Sequence, residues 1–162
     1  MDFYVNEGYT VFNASKISGW KRLWGLNNAT AFSPVNLENL LKTNFEALKM
    51  SELIKRCLIT TYNMNNKSSF FFTSREDTAK REFCVRDVLR SMSAAPTYFP
   101  PAKIKNIAMG NQKDQDAMNV LNLDGGVFAN NPTMCAYAEA RNKHFKIEIA
   151  MSHLQAICRF YP

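Results

Sequence analysis

The sequence lacks the features that mark membrane-spanning, secreted and metal-binding proteins. Its 162 residues contain no run of about 18 apolar residues, the minimum for a transmembrane helix. The first residues lack the basic start and apolar centre of a secretory signal. The four cysteines lie more than 20 residues apart, which fits neither a zinc pair nor a Cys-x-x-Cys redox motif. We therefore expect a cytoplasmic protein with buried, reduced thiols and no metal or other cofactor; two disulfides are the alternative.

Acidic residues are too few to balance the basic ones. Twenty Lys and Arg against 14 Asp and Glu give a net charge of +6. Nucleic acid is not an expected partner, because no zinc finger, dinucleotide-binding glycine motif or RNA-binding signature accompanies this charge. Two interpretations stay open: a solvated surface, or peripheral contact with an anionic membrane, in which a well-placed basic residue contributes about 1 kcal/mol.

What the sequence does contain is typical of a globular protein: 46% of the residues are hydrophobic and 12% are aromatic. Residue spacing predicts helices starting at Ser33-Pro34, at Ser51 and near residue 83, and one from Pro132 through Arg141. Strands are predicted over 57–64, 69–73 and 119–123, with an exposed loop over 108–118. Aromatic residues before position 30 are expected to pack onto this body.

Asp124 stands at the end of the third predicted strand and is followed by Gly125 and Gly126. Asp-Gly and Gly-Gly are common turn dipeptides, and taken alone this sequence is most simply a hairpin turn. However, a carboxylate beside two residues without Cβ atoms can also approach a substrate closely. After this turn, Asn131 is expected to cap the helix that begins at Pro132.

A second unusual stretch follows the predicted helix at 83–93. It reads Ser93-Ala94-Ala95-Pro96-Thr97-Tyr98-Phe99-Pro100-Pro101. Its three prolines must end the helix and favour an extended path. A surface bend or a proline-rich ligand is one interpretation. Apolar Tyr98 and Phe99 between prolines favour the other, in which this segment lines a groove.

Together, this proline-rich segment and Leu123-Asp124-Gly125-Gly126-Val127-Phe128-Ala129-Asn130-Asn131-Pro132 resemble the C-terminal half of a patatin-like phospholipase domain. The similarity covers about Tyr4 to Arg141 and implies a three-layer α/β/α hydrolase fold, present here in part. It also implies metal-free cleavage of phospholipid or galactolipid acyl esters by a Ser-Asp dyad, with Asp124 as the base. Substrate-groove candidates are Pro96, Tyr98, Phe99, Asn130 and Asn131.

The sequence departs from this family in lacking the nucleophile. No serine lies in a Gly-x-Ser-x-Gly motif, and no glycine-rich oxyanion loop is present. The two histidines, His144 and His153, are expected to be structural or solvated. We therefore expect an inactive C-terminal portion of the domain over residues 1–143, followed by a divergent tail over 144–162. The alternatives are a non-catalytic lipid-surface or protein-binding fragment and a truncated gene product.

Overall fold

The computed structural model of the chain describes residues 7–9, 11–12, 30–74, 81–109 and 119–141. The chain divides into two units, residues 1–128 and residues 129–162. The first unit contains a sheet and two of the helices, whereas the described part of the second contains one helix. The tail proposed for residues 144–162, with both histidines, lies outside the described residues, so the boundary at residue 143 stays a prediction.

One antiparallel sheet of four strands organises the first unit. Its strands are β1 (Leu58–Asn63), β2 (Ser68–Thr73), β3 (Ala102–Lys105) and β4 (Asn119–Asp124), and their order across the sheet is β2-β1-β4-β3. The predicted pairing of β1 with β2 is confirmed, as is the mixed α/β class. The β-branched and aromatic residues of β1 and β2 favour this pleated arrangement.

The register of the strands gives the sheet two distinct ends. Thr61 lies opposite Asp124, and Ala102 lies opposite Asn122. Because all neighbouring strands are antiparallel, β1 and β3 run in the direction opposite to β2 and β4. The strands are staggered, since β4 finishes at Asp124 opposite Thr61, three residues after β1 begins. We call the side of the sheet on which β4 finishes the Asp124 end. The turn Met64–Lys67, which joins β1 to β2, marks the opposite end.

Strand β3 is absent from the sequence-based prediction, which treats the residues after Pro101 only as an extended exit. It has four residues, of which Ala102 and Ile104 are buried and Lys103 and Lys105 are exposed. A two-residue alternation over so short a stretch is a weak signal of a strand. These four residues form a strand because they pair with β4.

The helices that the structure describes along their whole length are α1 (Val35–Phe45), α2 (Val85–Met92) and α3 (Thr133–Arg141), and residues 7–9 and 11–12 are also helical. Helix α1 begins one residue later than expected and ends before Glu46, whose φ of 42° is not helical. The predicted helix at Ser51 is wrong: residues Met50–Glu52 form a single 3-10 turn. The Glu52 carboxylate accepts a hydrogen bond from the Lys49 backbone N–H, which holds this turn.

Helix α2 packs on the sheet, as its predicted apolar face requires. Val88 is completely buried, and the core around it includes Phe72, Phe83, Ala94 and Ile104. Met92, assigned to the same face, is 37% exposed, because the helix ends there. The core therefore joins α2 to β2 and β3, which lie on opposite sides of β4. This packing fixes the position of β4, which ends at Asp124.

Candidate functional site

The structure brings the two unusual stretches of the sequence into direct contact. Asp124 is the last residue of β4, and its backbone N–H donates a hydrogen bond of 3.0 Å to the carbonyl oxygen of Ala94. Ala94 itself is completely buried. Two segments 30 residues apart in sequence therefore form one structure at the Asp124 end of the sheet.

The Asp124 carboxylate is held in place by the turn that follows it. Its Oδ1 atom accepts a hydrogen bond of 2.5 Å from the Gly126 backbone N–H. The residue is partly buried. Within the described parts of the chain, its Oδ2 atom has no hydrogen bond or ion pair. One oxygen thus fixes the orientation of the carboxylate, and the other is available to a proton donor.

Gly125 packs against the neighbouring strand with no space for a side chain. A Cβ atom at this position would lie 2.2 Å from the backbone oxygen of Thr60 on β1. Residues Gly125–Val127 form a 3-10 turn, and Gly125 is buried in it. The glycine is therefore required by the close approach of β1, and this approach places the turn, and hence Asp124, against the sheet.

The segment from Ala94 to Phe99 folds into a tight turn beside Asp124. The backbone N–H groups of Tyr98 and Phe99 both donate to the carbonyl oxygen of Ala95. Thr97 has a φ of 72°, which is strained for a β-branched residue. Pro96, Thr97 and Tyr98 are exposed, whereas Phe99 is buried. Backbone hydrogen bonds from residues 31–32 to Thr97 and Tyr98 hold the turn from outside.

An apolar cavity of about 130 Å³ lies on the other side of this turn. Phe99 forms part of its wall, and the Phe12 ring lies 6.0 Å from the Phe99 ring. This contact agrees with the expectation that aromatic residues near the N-terminus pack on the main body; Tyr4, Trp20 and Trp24 lie outside the described residues. The other lining residues are Glu7, Gly8, Val11, Leu37, Leu40 and Ser93.

The predicted groove residues therefore occupy different surroundings. Phe99 lines the cavity, while Tyr98 stacks on Phe32 with 55% of its surface exposed. Asn131 lies in the second unit, where its Oδ1 atom accepts hydrogen bonds from the backbone N–H and the hydroxyl of Thr133. Asn131 thus caps the start of α3 as predicted, although the helix begins at Thr133, one residue after the predicted start at Pro132. Asn130 is exposed in the same unit.

Several other potential nucleophiles of the first unit are occupied or unreactive. Ser93 donates its hydroxyl proton to the Leu89 carbonyl oxygen at 2.8 Å. Ser91 is completely buried, and its Oγ atom accepts a hydrogen bond of 3.3 Å from the Asn122 amide. Burial raises the pKa of the Cys84 thiol, which keeps it protonated and a poor nucleophile. In the part of the chain that the structure describes, no three His, Cys, Asp or Glu residues converge to hold a metal ion.

The buried pair Asn122 and Ser91 was missed by sequence reasoning. Asn122 is fully buried on β4, two residues before Asp124, and among the described residues its Oδ1 atom has no hydrogen-bond partner. An amide between Leu121 and Leu123 in a predicted strand is the available signal, since buried polar side chains need partners. The pair links α2 to β4 beside the site.

Three cysteines lie in the described parts of the chain, and all three are free thiols. Cys84 is buried, as expected, but Cys57 is exposed, because it precedes β1 at the surface. The prediction of burial is therefore wrong for Cys57. Among the described helices, none is long and apolar enough to cross a membrane.

Comparison with known proteins supports the resemblance carried by the two stretches. The sequence model described as Patatin, patatin-like phospholipase, matches residues 2–137. Patatin-like protein 2 of Oryza sativa subsp. japonica is 27% identical over 99% of this chain and 38% of its own length. Patatin-like protein 3 of Arabidopsis thaliana is 24% identical over 96% of the chain and 36% of its own length. The chain thus spans little more than a third of these relatives.

Proposed function

Because this chain belongs to the patatin-like phospholipase family, we propose that it carries the general base of a lipid acyl hydrolase, Asp124. The substrate would be a phospholipid or galactolipid. The observation that carries this proposal is the carboxylate itself: Gly126 holds Oδ1, while Oδ2 is without a partner among the described residues. A base must be oriented and yet able to accept a proton, and this arrangement satisfies both needs.

The proposed reaction is acyl transfer through a serine. Oδ2 of Asp124 would remove the proton of a serine hydroxyl as its oxygen attacks the ester carbonyl carbon. The proton then passes to the leaving alcohol as the carbonyl–oxygen bond breaks, and water releases the acyl group in a second step. The serine would come from a part of the protein outside this chain, since no Gly-x-Ser-x-Gly motif is present in it.

The apolar cavity behind Ala94–Phe99 supports a substrate with an acyl chain. Five of its eight lining residues are aliphatic or aromatic, and the hydroxyl of Ser93 is already bonded to Leu89. An apolar lining favours the binding of apolar groups, because their surface is removed from water. Part of an acyl chain bound here would lie beside the turn that contacts Asp124.

Replacing Asp124 by Asn in a complete patatin-like protein that contains this chain tests the proposal. We expect ester hydrolysis to fall about 100-fold or more, because the amide cannot take the serine proton. Asp87→Asn is a matched control, since it removes a carboxylate from α2 and should leave activity unchanged. Full activity in the Asp124→Asn protein, measured with a phospholipid substrate, would reject the assignment.

A non-catalytic lipid-surface module is the second candidate function, and it is favoured by the net charge of +6, which attracts anionic surfaces. In that case the complete protein would bind lipid but would not hydrolyse it, whatever residue stands at position 124. The same comparison of wild-type and Asp124→Asn proteins separates the two candidates.

A further inference from the structure

The end of helix α2 is hydrogen-bonded to strand β4 at two points. The Ser91 Oγ atom, in the last turn of α2, accepts a hydrogen bond of 3.3 Å from the Asn122 side-chain amide. The Ala94 carbonyl oxygen, two residues after the helix ends, accepts one of 3.0 Å from the Asp124 backbone N–H. Both acceptors belong to one turn of the chain, because the Ala94 N–H donates to the Ser91 carbonyl oxygen at 3.1 Å.

The two contacts between α2 and β4 lie out of reach of water. Ser91, Ala94 and Asn122 are each completely buried. A hydrogen bond in such surroundings is stronger than one in water, so the contacts hold their geometry. Side chains two residues apart on a strand share one face of the sheet, which places Asn122 and Asp124 on the same face. A displacement of Asn122 therefore also displaces Asp124.

The Asn122 amide is unfavourable for stability alone. Its Oδ1 atom is buried and has no hydrogen-bond partner among the described residues. An unsatisfied buried acceptor destabilises a fold. A leucine side chain of similar size would avoid this cost, but it could not donate a hydrogen bond to Ser91. Residues that break a local rule of stability are characteristic of functional sites, where the position of a group matters more than its contribution to stability.

We propose that Asn122 and Ser91 are positioning residues for the Asp124 carboxylate. Neither touches the substrate. The bond between them holds the end of β4 on α2, while Gly126 orients the carboxylate through Oδ1, so that Oδ2 keeps one position. Misplacement of a reacting group by about 1 Å can lower a rate about 100-fold. This inference rests on the proposed function, in which Asp124 is the base.

Ester hydrolysis by a complete patatin-like protein that contains this chain tests the effect on the reaction. We expect Asn122→Leu and Ser91→Ala each to lower kcat about tenfold or more, with KM unchanged, because the pair acts on the base and not on bound substrate. The double variant leaves neither polar group of the pair without a partner. It should therefore recover the stability lost in Ser91→Ala while kcat stays low, which separates positioning from a loss of folded protein.

Asn106→Leu is the matched control for Asn122→Leu. Asn106 is also buried, and its Oδ1 atom accepts hydrogen bonds from the backbone N–H groups of Glu82 and Ala108. It follows Lys105, which lies opposite the first residue of β4 and not opposite Asp124. Asn106→Leu should lower the melting temperature and leave kcat unchanged. Wild-type kcat in Asn122→Leu, or an equal loss of kcat in Asn106→Leu, would overturn the proposal.

Hydrogen exchange in the 162-residue chain separates this inference from the catalytic assignment. In Asn122→Leu we expect the Asp124 backbone amide, followed by NMR, to exchange about tenfold faster, because its bond to Ala94 opens more often. In Asn106→Leu this amide should exchange as in the parent chain. Unchanged exchange in Asn122→Leu would overturn the positioning role even where Asp124 is the base, whereas full activity of Asp124→Asn would reject the base itself.

Discussion

At the scale of single residues, Gly125 sets how closely the turn after Asp124 approaches the sheet. The Thr60 backbone oxygen occupies the space in which a side chain would begin. Since this oxygen belongs to a paired strand, it cannot move aside as a flexible side chain could. The position of the candidate base is thus fixed by Gly125, a residue without a reactive side chain.

We expect Gly125→Ala to destabilise the chain by about 1–3 kcal/mol, because the new methyl group forces the turn away from β1. Gly8→Ala is the control, since nothing lies within 4 Å of the position a Cβ would take there. That control should be neutral or slightly stabilising, as alanine is favoured over glycine in helices. Urea denaturation of both variants measures the difference; equal stabilities would contradict the packing argument.

Much of the residue-scale information was available in the sequence. Asp124, Gly125 and the segment starting at Ser93 could be singled out because their residue types are constrained by chemistry or by backbone geometry. Their contact through the Ala94 carbonyl could not, since that carbonyl is a backbone group present in any sequence. The strained φ of Thr97 is likewise invisible in the sequence, which gives a β-branched residue where glycine is favoured.

At the scale of elements, helices and long strands follow from local spacing, whereas short elements depend on their neighbours. Helix α2 has a strong periodic face, and its predicted ends lie within two residues of those observed. Strand β3 and the 3-10 turn at Met50–Glu52 have too few residues for a period to show. Strand β3 forms because it pairs with β4, and the 3-10 turn forms because Glu52 accepts a hydrogen bond from the Lys49 backbone.

Arg90 connects three elements around the candidate site. Its Nε atom donates to Glu38 Oε1 of α1 at 3.0 Å, and its Nη2 atom donates to the Pro100 carbonyl oxygen before β3 at 3.0 Å. The residue is on α2 and only 6% exposed. Its planar guanidinium can make both bonds at once, which fixes the α1–α2 pair relative to the start of β3.

We expect Arg90→Lys to lower the free energy of unfolding by about 1–3 kcal/mol, because one ammonium group cannot reach both acceptors and leaves one unsatisfied. Glu38→Gln keeps an acceptor for Arg90 Nε, and its side chain is partly exposed. We therefore expect it to lower the free energy of unfolding clearly less than Arg90→Lys does. Chemical denaturation monitored by circular dichroism gives both values. Equal losses of unfolding free energy in the two variants would show that the Arg90–Glu38 ion pair, rather than the hydrogen bond from Arg90 to Pro100, holds these elements.

At the scale of the whole molecule, the sheet brings together segments that are far apart in sequence. The backbone N–H of Asp124 at the end of β4 donates to the Ala94 carbonyl oxygen, and β1 packs against the turn at Gly125. Sequence patterns indicated the strands, but the missed β3 and the unknown strand order concealed this convergence.

The composition of the whole chain also makes a prediction about its activity. We expect the 162-residue chain alone not to hydrolyse p-nitrophenyl esters, because it contains the proposed base but no Gly-x-Ser-x-Gly nucleophile. Of the serines around the Ala94 contact, Ser91 is buried against Asn122 and Ser93 is bonded to Leu89, so neither is free to attack. Release of p-nitrophenolate by the purified chain is the measurement, with Asp124→Asn as the comparison.

Turnover that disappears in the Asp124→Asn chain would contradict this expectation and require a nucleophile within these residues. Thr97 would then be the first candidate, because it is exposed in the turn beside Asp124 and its backbone is strained. Thr97→Val, which keeps the β-branched shape but removes the hydroxyl, would abolish such turnover if Thr97 attacks the ester. Turnover that survives both substitutions would instead indicate a contaminating esterase, because neither the proposed base nor the Thr97 hydroxyl would be involved.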